Sequence, residues 1–162
     1  MSEMRIGIGY DVHAFAEGRP LVLGGLTVPS PRGLEGHSDA DVLVHAIMDA
    51  LLGAIREGDI GRLFPDTDPQ YAGISSVELL RRVGSTVTEA GFRIVDVDAV
   101  LVLESPRISP YRDEMRARIA DALGIPSDSV GVKATTTEGL GFAGRGEGVA
   151  AQAVALVERI RP

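Results

Sequence analysis

The chain has only three histidines, and each stands close to carboxylates. The first belongs to Asp11-Val12-His13, where the two polar side chains are two residues apart. On a strand that spacing puts them on the same face, so both can reach one cation while Val12 anchors in the core on the opposite face. The second, His45, is flanked by Asp41 and Asp49 at four-residue spacing, which on a helix makes a single polar stripe. With no cysteine in the sequence, thiolate zinc sites, disulfides and cysteine nucleophiles are excluded, and any metal must be held by His, Asp or Glu. Two His and one Asp leave a fourth position open, the arrangement of a catalytic rather than a structural zinc. The competing reading is an ordinary strand pair and a hydrated helix face, since Asp-x-His is short enough to recur by chance.

The third histidine opens His37-Ser38-Asp39-Ala40-Asp41, immediately before a helical pattern. Backbone N–H groups at a helix start attract phosphate, and an imidazole and a hydroxyl placed there add two donors. The alternative is plain capping by Ser38 and a solvated His37. Residues 133–148 combine Lys133, Thr135, Thr136, Thr137, several glycines and Arg145. Glycines let the backbone approach a ligand, the threonines bring hydroxyls and the two cations bring charge, which fits phosphate binding. A mere tether is the weaker reading, because consecutive β-branched residues are a stiff choice for one. Gly139, Gly141 and Gly144 match G-x-G-x-x-G, but no βαβ continuation with its distant acid is expected after them. Asp59, Asp66 and Asp68 lie in a further Gly/Pro-punctuated segment, where carboxylates suit the hydroxyls of a sugar or polyol and, in the blander reading, simple turns.

These groups need a scaffold to bring them together. At 162 residues, 44% of them hydrophobic, a single compact domain over residues 1–162 is expected. Over residues 5–15, Ile6, Ile8, Tyr10 and Val12 alternate with Gly7, Gly9, Asp11 and His13, predicting a strand with the aliphatic set buried. Residues 21–28, broken by Gly24-Gly25, predict a small hairpin. Residues 39–55 predict a helix capped by Ser38 or Asp39, and 59–73 a loop. Ser75-Ser76-Val77-Glu78 spells a capping box whose helix ends at Gly91. A strand is expected over 92–104, a helix with Pro110 in its first turn and Gly124 just past its end, and a strand over 129–136. Residues 149–160 carry both helical and strand signals; a strand is expected, because the sheet needs a final partner. The sum is an α+β fold, an α/β sandwich of ferredoxin-like βαββαβ type, with a mixed four-stranded sheet, helices on one face and a small β-hairpin.

A net charge of −7 and the lack of a basic patch argue against a nucleic-acid partner. A small anionic substrate is compatible with that charge, provided cations or oriented donors neutralise it. No apolar run approaches the roughly 20 residues of a membrane-spanning helix, and Met1-Ser2-Glu3-Met4-Arg5 lacks the regions of a secretory signal. A cytoplasmic protein with no membrane partner is expected.

Taken in order, Gly9-Tyr10-Asp11-Val12-His13-Ala14-Phe15, His37-Ser38-Asp39-Ala40-Asp41-Val42, the run from His45 to Ala54, the run from Gly58 to Pro69 and the run from Lys133 to Phe142 resemble the 2-C-methyl-D-erythritol 2,4-cyclodiphosphate synthase family. The similarity covers almost the whole chain, and separate blocks in the right order are far more specific than any one motif. The resemblance implies zinc held by Asp11, His13 and His45, phosphates contacted by His37, Ser38 and Thr136, and His37 and Thr136 assisting the transition state. It implies that Glu138 helps to hold a second divalent cation, magnesium or manganese. Asp59, Ile60 and Gly61, with Phe64, Pro65, Asp66, Thr67 and Asp68, would line a methylerythritol pocket. Leu103, Glu104, Ser105, Pro106, Arg107, Ile108 and Ser109, with Thr135, Thr136, Thr137 and Glu138, would hold a cytidine diphosphate portion, and Phe142 and Arg145 join the substrate-binding set. The family is a homotrimer with active sites between subunits and an apolar threefold channel, near Arg145 and Glu147, able to take an isoprenoid diphosphate. Ile8 stands where many members carry His, Ala40 where Gly is frequent, and Glu104-Ser105-Pro106-Arg107 where Gln-x-Pro-Lys is usual.

The implied activity is that of a phosphorus–oxygen lyase. It closes 4-diphosphocytidyl-2-C-methyl-D-erythritol 2-phosphate to 2-C-methyl-D-erythritol 2,4-cyclodiphosphate and releases CMP, in the non-mevalonate isoprenoid pathway. Two alternatives stand beside it: a metal-dependent phosphohydrolase, and a non-catalytic trimer that binds isoprenoid diphosphates.

Overall fold

The structure is a computed structural model that describes residues 3–160. Strand β1 (Met4–Ala16) leads through the hairpin β2 (Leu21–Leu23) and β3 (Leu26–Val28), and the two-residue β4 (Gly33–Leu34), to helix α1 (Val42–Ile55). The segment expected as a loop holds one helical turn, α2 (Ile60–Leu63), and a 3-10 turn at Pro69–Tyr71. Then come α3 (Ser76–Glu89), β5 (Phe92–Val102), α4 (Arg112–Leu123), β6 (Val130–Thr135), the short α5 (Gly141–Gly144) and β7 (Gly148–Arg159). Gly124 closes α4 with φ 65°, a left-handed stop that glycine adopts without steric cost. The ambiguous final segment is a strand that packs against α1 and buries Val149, Ala151, Ala153, Ala155 and Val157 at alternate positions.

The sheet has five strands in the order β4-β1-β7-β5-β6, so the expected four-stranded ferredoxin-like sheet is corrected. β5 and β6 pair in parallel; a parallel pair needs a crossover, and α4 supplies it. β7 then inserts between β1 and β5, antiparallel to both, giving β-α-β-α-β-β for the long strands. Alternation identifies strands but not their neighbours, and β4 is too short to leave a periodic signal. The mixed sheet, the small hairpin and the helical layer on one face agree with expectation. The buried apolar residues of α1, α3, α4, β5, β6 and β7, with those of β2, β3 and β4, form one continuous cluster. Among the described residues no helix is long and apolar enough to cross a membrane.

On β1 the two faces are the reverse of the expectation. Ile6, Ile8, Tyr10 and Val12 are 66, 65, 57 and 46% exposed, so Val12 is not a core anchor. Gly7 and Gly9 face α1 instead. A Cβ on Gly7 would meet the Ala50 carbonyl oxygen at 1.9 Å, and one on Gly9 the Ala46 carbonyl oxygen at 1.9 Å. Alternation says which residues share a face; which face is covered depends on the partner element. Here the partner is a nearly fully buried helix whose small residues lie on bare strand backbone.

Helix α1 starts later than expected, and its cap is Asp41 rather than Ser38 or Asp39. Asp41 is wholly buried and does not lie on an exposed polar stripe with His45 and Asp49. It accepts N–H bonds from Val44 at 3.1 Å, Gly24 at 2.9 Å and Gly25 at 2.6 Å, fastening the hairpin turn to the helix start. Burial and the nearby charge of Asp39 push this carboxyl up to about 6, opposed by the three N–H donors.

Gly9→Ala is expected to lower stability by about 3 kcal/mol, because either α1 or β1 must shift to admit the methyl group. Urea unfolding measures it, and a midpoint equal to the wild type would contradict this packing.

Candidate functional site

Asp11 and His13 project from β1 toward the first turn of α1, which carries His45. Asp11 Oδ2 lies 2.8 Å from His13 Nε2 and 3.1 Å from His45 Nδ1, and the two ring nitrogens are 3.2 Å apart. Donor atoms around a tetrahedral ion with bonds near 2.1 Å stand about 3.4 Å from one another. Three donor atoms so placed fit one ion after a slight widening. Among the described residues this is the one group of three or more His, Asp or Glu with ligand atoms within 4.8 Å of one another. The backbone helps to orient it: His13 Nδ1 is 2.6 Å from the Glu35 carbonyl oxygen. A carbonyl can only accept, so Nδ1 carries the proton and Nε2 turns its lone pair inward.

On the far side of the other ring, His45 Nε2 is 2.9 Å from Ser76 Oγ and 3.3 Å from Ser38 Oγ. Ser76 is fully buried, and its hydroxyl donates to Asp39 Oδ1 at 2.5 Å. Burial pushes the Asp11 carboxyl up, but the hydrogen bonds and charges of His13 and His45 outweigh it and hold the group at about 2. Burial pulls His13 down, and the hydrogen bond and charge of Asp11 more than reverse that. An anionic carboxylate between two imidazoles is a site where a cation can take the place of protons.

Above the three ligands lies a cavity of about 370 Å³, lined by His13, His37, Ser38, His45, Ile60, Gly61, Phe64 and Asp66, with Gly36, Tyr71 and Leu79. His37 is held by its Nε2–H donating to the Asp68 carbonyl at 3.4 Å. From behind, Arg19 donates to the carbonyls of Gly36 at 2.6 Å and Ser38 at 2.7 Å, one on each side of His37. Asp59 caps α2 through the Arg62 N–H at 2.9 Å, and Asp68 caps the 3-10 turn through the Gln70 N–H at 3.0 Å. Those two carboxylates are thus engaged as caps and, like Pro65 and Thr67, lie outside the cavity lining.

A second hollow of about 220 Å³ is lined by Leu103, Glu104, Pro106, Arg107, Ile108, Ser109, Ala134, Thr135 and Thr136. Ser105 precedes Pro106 through a cis peptide bond. The Glu104 carboxylate accepts from Thr137 N–H at 3.0 Å and Gly139 N–H at 3.4 Å, while the Thr137 hydroxyl donates to the Leu140 carbonyl at 2.6 Å, fastening the turn that carries Glu138. Glu138 itself accepts from Thr136 Oγ1 at 3.2 Å and lies outside the three-ligand group. Lys133 and Arg145 do not supply free charge to this loop: Lys133 pairs with Asp98 at 2.5 Å and Arg145 with Glu147 at 2.9 Å. Phe142 is half-buried on α5 and lines neither hollow.

The two hollows share no lining residue. The register runs Val12, Ala150, Val102, Thr135 straight across β1, β7, β5 and β6. Thr135 is thus level with Asp11 and His13 but three strand spacings away, about 14 Å.

Comparison with known proteins gives this arrangement its family. The sequence profile of the YgbB family matches residues 4–158. The chain belongs to the YgbB family. It is 64% identical to the 2-C-methyl-D-erythritol 2,4-cyclodiphosphate synthase of Syntrophobacter fumaroxidans, over 95% of this chain and 97% of that one. To the enzyme of the same name from Pelotomaculum thermopropionicum it is 61% identical, over 96% of each. A solved 2C-methyl-D-erythritol-2,4-cyclodiphosphate synthase in a CDP-bound form matches with a TM-score of 0.86 at 42% identity, covering 94% of this chain and 99% of that one.

Within this YgbB-family chain, Ala40 adopts φ 57°, a left-handed conformation that accounts for the expectation of glycine at the position. Ile8, expected as His in many relatives, lies on the exposed sheet face away from the ligands. Arg19, Tyr71 and Leu79 carry no signal in the sequence, and Asp39 and Ser76 stand there only as helix-start residues without a site role. Ser76 was hidden by the capping-box pattern, in which Ser75 is the capping residue; Ser75 in fact makes no side-chain cap bond.

His45→Ala is expected to weaken zinc binding at least about 100-fold while leaving the far-UV circular dichroism spectrum unchanged. Chelator competition measures the affinity, and wild-type affinity in the variant would contradict the assigned role of His45.

Proposed function

We propose that this chain converts 4-diphosphocytidyl-2-C-methyl-D-erythritol 2-phosphate into 2-C-methyl-D-erythritol 2,4-cyclodiphosphate and CMP, as a cytoplasmic phosphorus–oxygen lyase of non-mevalonate isoprenoid biosynthesis. The observation that carries this reading is the Asp11, His13 and His45 group, with donor atoms 2.8 to 3.2 Å apart, opening onto a cavity that also holds His37 and Ser38. The names of the closely similar relatives and the CDP in the solved relative support it.

Zinc at Asp11, His13 and His45, with magnesium or manganese assisted by Glu138, would supply charge neutralisation and a template for the phosphate oxygens. The substrate's 2-phosphate is largely dianionic near neutral pH, so its attacking oxygen needs no strong general base. The protein's task is to hold two anions together in line. His37 and Ser38 donate to phosphate oxygens above the ligand group, and Ile60, Gly61, Phe64 and Asp66 enclose the methylerythritol. The hollow at Leu103, Pro106, Arg107 and Ser109 receives the cytidine diphosphate portion, and Thr136 donates to the phosphate that bears the growing charge. Attack by the 2-phosphate oxygen on the β-phosphorus forms the ring P–O bond. The bond from that phosphorus to the bridging oxygen breaks, and CMP departs with that oxygen; no water is consumed.

The roughly 14 Å between the ligand strand and Thr135 argues that one chain does not complete the site. In a homotrimer, the second hollow of one subunit faces the ligand group of its neighbour. The uncovered apolar row Ile6, Ile8, Tyr10, Val12 and Val154 supplies a surface suited to such an assembly. That assembly would also enclose the apolar channel near Arg145 and Glu147 that can take an isoprenoid diphosphate.

In water labelled with oxygen-18, the expected products are CMP and a cyclic diphosphate without label, read by mass and phosphorus spectra. A linear product carrying the label would identify a phosphohydrolase instead. By analytical ultracentrifugation the wild type is expected to sediment as a trimer and Ile8→Glu as a monomer with loss of turnover. A fully active wild-type monomer would contradict the shared site.

A further inference from the structure

We propose that Ser76 and Asp39 are positioning residues that fix the tautomer and ring orientation of His45, so that Nδ1 is the atom offered to the cation. The inference rests on the metal-centre reading above and extends it to the groups behind the ligand.

Ser76 sits at the start of α3, fully buried, with His45 almost as enclosed. A serine has one O–H to give, and an ionised carboxylate has only acceptors. Asp39 Oδ1, at 2.5 Å, takes that hydrogen. The same carboxylate is pinned by two backbone donors, the Ser76 N–H at 3.0 Å and the Asp41 N–H at 3.2 Å. It therefore cannot turn away without leaving buried N–H groups unpaired. Ser76 Oγ is left with lone pairs toward His45 Nε2 at 2.9 Å, so Nε2 carries the proton and Nδ1 is bare. Nδ1 is the nitrogen that stands 3.1 Å from Asp11 Oδ2 and 3.2 Å from His13 Nε2.

Were the Ser76 hydroxyl free to rotate, it could donate to Nε2 and send the ring proton to Nδ1, closing the ligand atom. The two imidazoles are thus set in opposite senses: His13 by a backbone carbonyl, His45 by a side-chain relay. Only the second can be altered by substitution. Ser38 Oγ reaches the same Nε2 at 3.3 Å, a longer contact with no carboxylate behind it.

The test measures zinc affinity by competition with a chromophoric chelator, together with two-bond proton–nitrogen correlation spectra of labelled histidine. The wild type is expected to hold zinc with His45 protonated at Nε2. Ser76→Ala and Asp39→Asn should each weaken zinc binding about 10- to 100-fold and leave the metal-free His45 ring as a mixture of tautomers. Ser76→Thr should restore both properties, and Ser75→Ala, which removes no side-chain cap bond, should change neither. Should Ser76→Ala fail to fold, Asp39→Asn carries the same comparison. Either variant, folded, binding zinc within about twofold of the wild type and with an unchanged tautomer spectrum, would overturn the proposal. A wild type that binds no zinc would overturn the metal-centre reading, and this inference with it.

Discussion

Helix α1 lies directly on the backbone of β1, and the ligand group exists only because of that contact. Gly7 and Gly9 leave nothing between the strand and the carbonyls of Ala50 and Ala46. The approach brings His45, on the first helical turn, within hydrogen-bonding distance of Asp11. Any side chain at either glycine would lift the helix and pull one imidazole away from the other two ligands. Close packing and chemistry are here the same constraint, since a shift of an ångström matters as much to ion coordination as to the core.

Around that contact the fold is tied by buried polar groups rather than by apolar packing alone. Asp41 joins the hairpin turn to the start of α1, Asp39 joins the same segment to α3 through Ser76, and Arg19 braces the carbonyls on either side of His37. Residues 36–41 are therefore held from three directions, so the cavity wall above the ligands is largely preorganised. This local framework also explains how a chain of net charge −7 can address an anionic ligand. Oriented donors, with a cation held at Asp11, His13 and His45, would set the field in the cavity, whatever the charge of the remaining surface.

Much of this was legible in the sequence because it depends on parity and local chemistry. The period of two over residues 5–15 placed Asp11 and His13 on one face, and that holds. It could not say that the glycine face would be the covered one, since that follows from α1 being almost wholly buried and laying Ala46 and Ala50 against the strand. The helices ending at Gly91 and Gly124 were readable from their stop residues, and the hairpin from Gly24-Gly25. Strand order was not: the place of β7 between β1 and β5 is a long-range pairing with no local signature. Asp39 and Ser76 escaped notice for a related reason. Each resembles an ordinary helix-start residue until tertiary structure brings them together behind His45.

The proposed chemistry requires Asp11, His13 and His45 to hold one divalent ion with a coordination position left for a non-protein ligand. X-ray absorption at the zinc edge, combined with anomalous diffraction from crystals of the zinc-loaded protein, tests it directly. One anomalous peak is expected among Asp11 Oδ2, His13 Nε2 and His45 Nδ1, with metal–ligand distances of about 2.0–2.1 Å and a fourth ligand from solvent. No peak among these atoms, or a sphere closed by a fourth protein side chain, would contradict it.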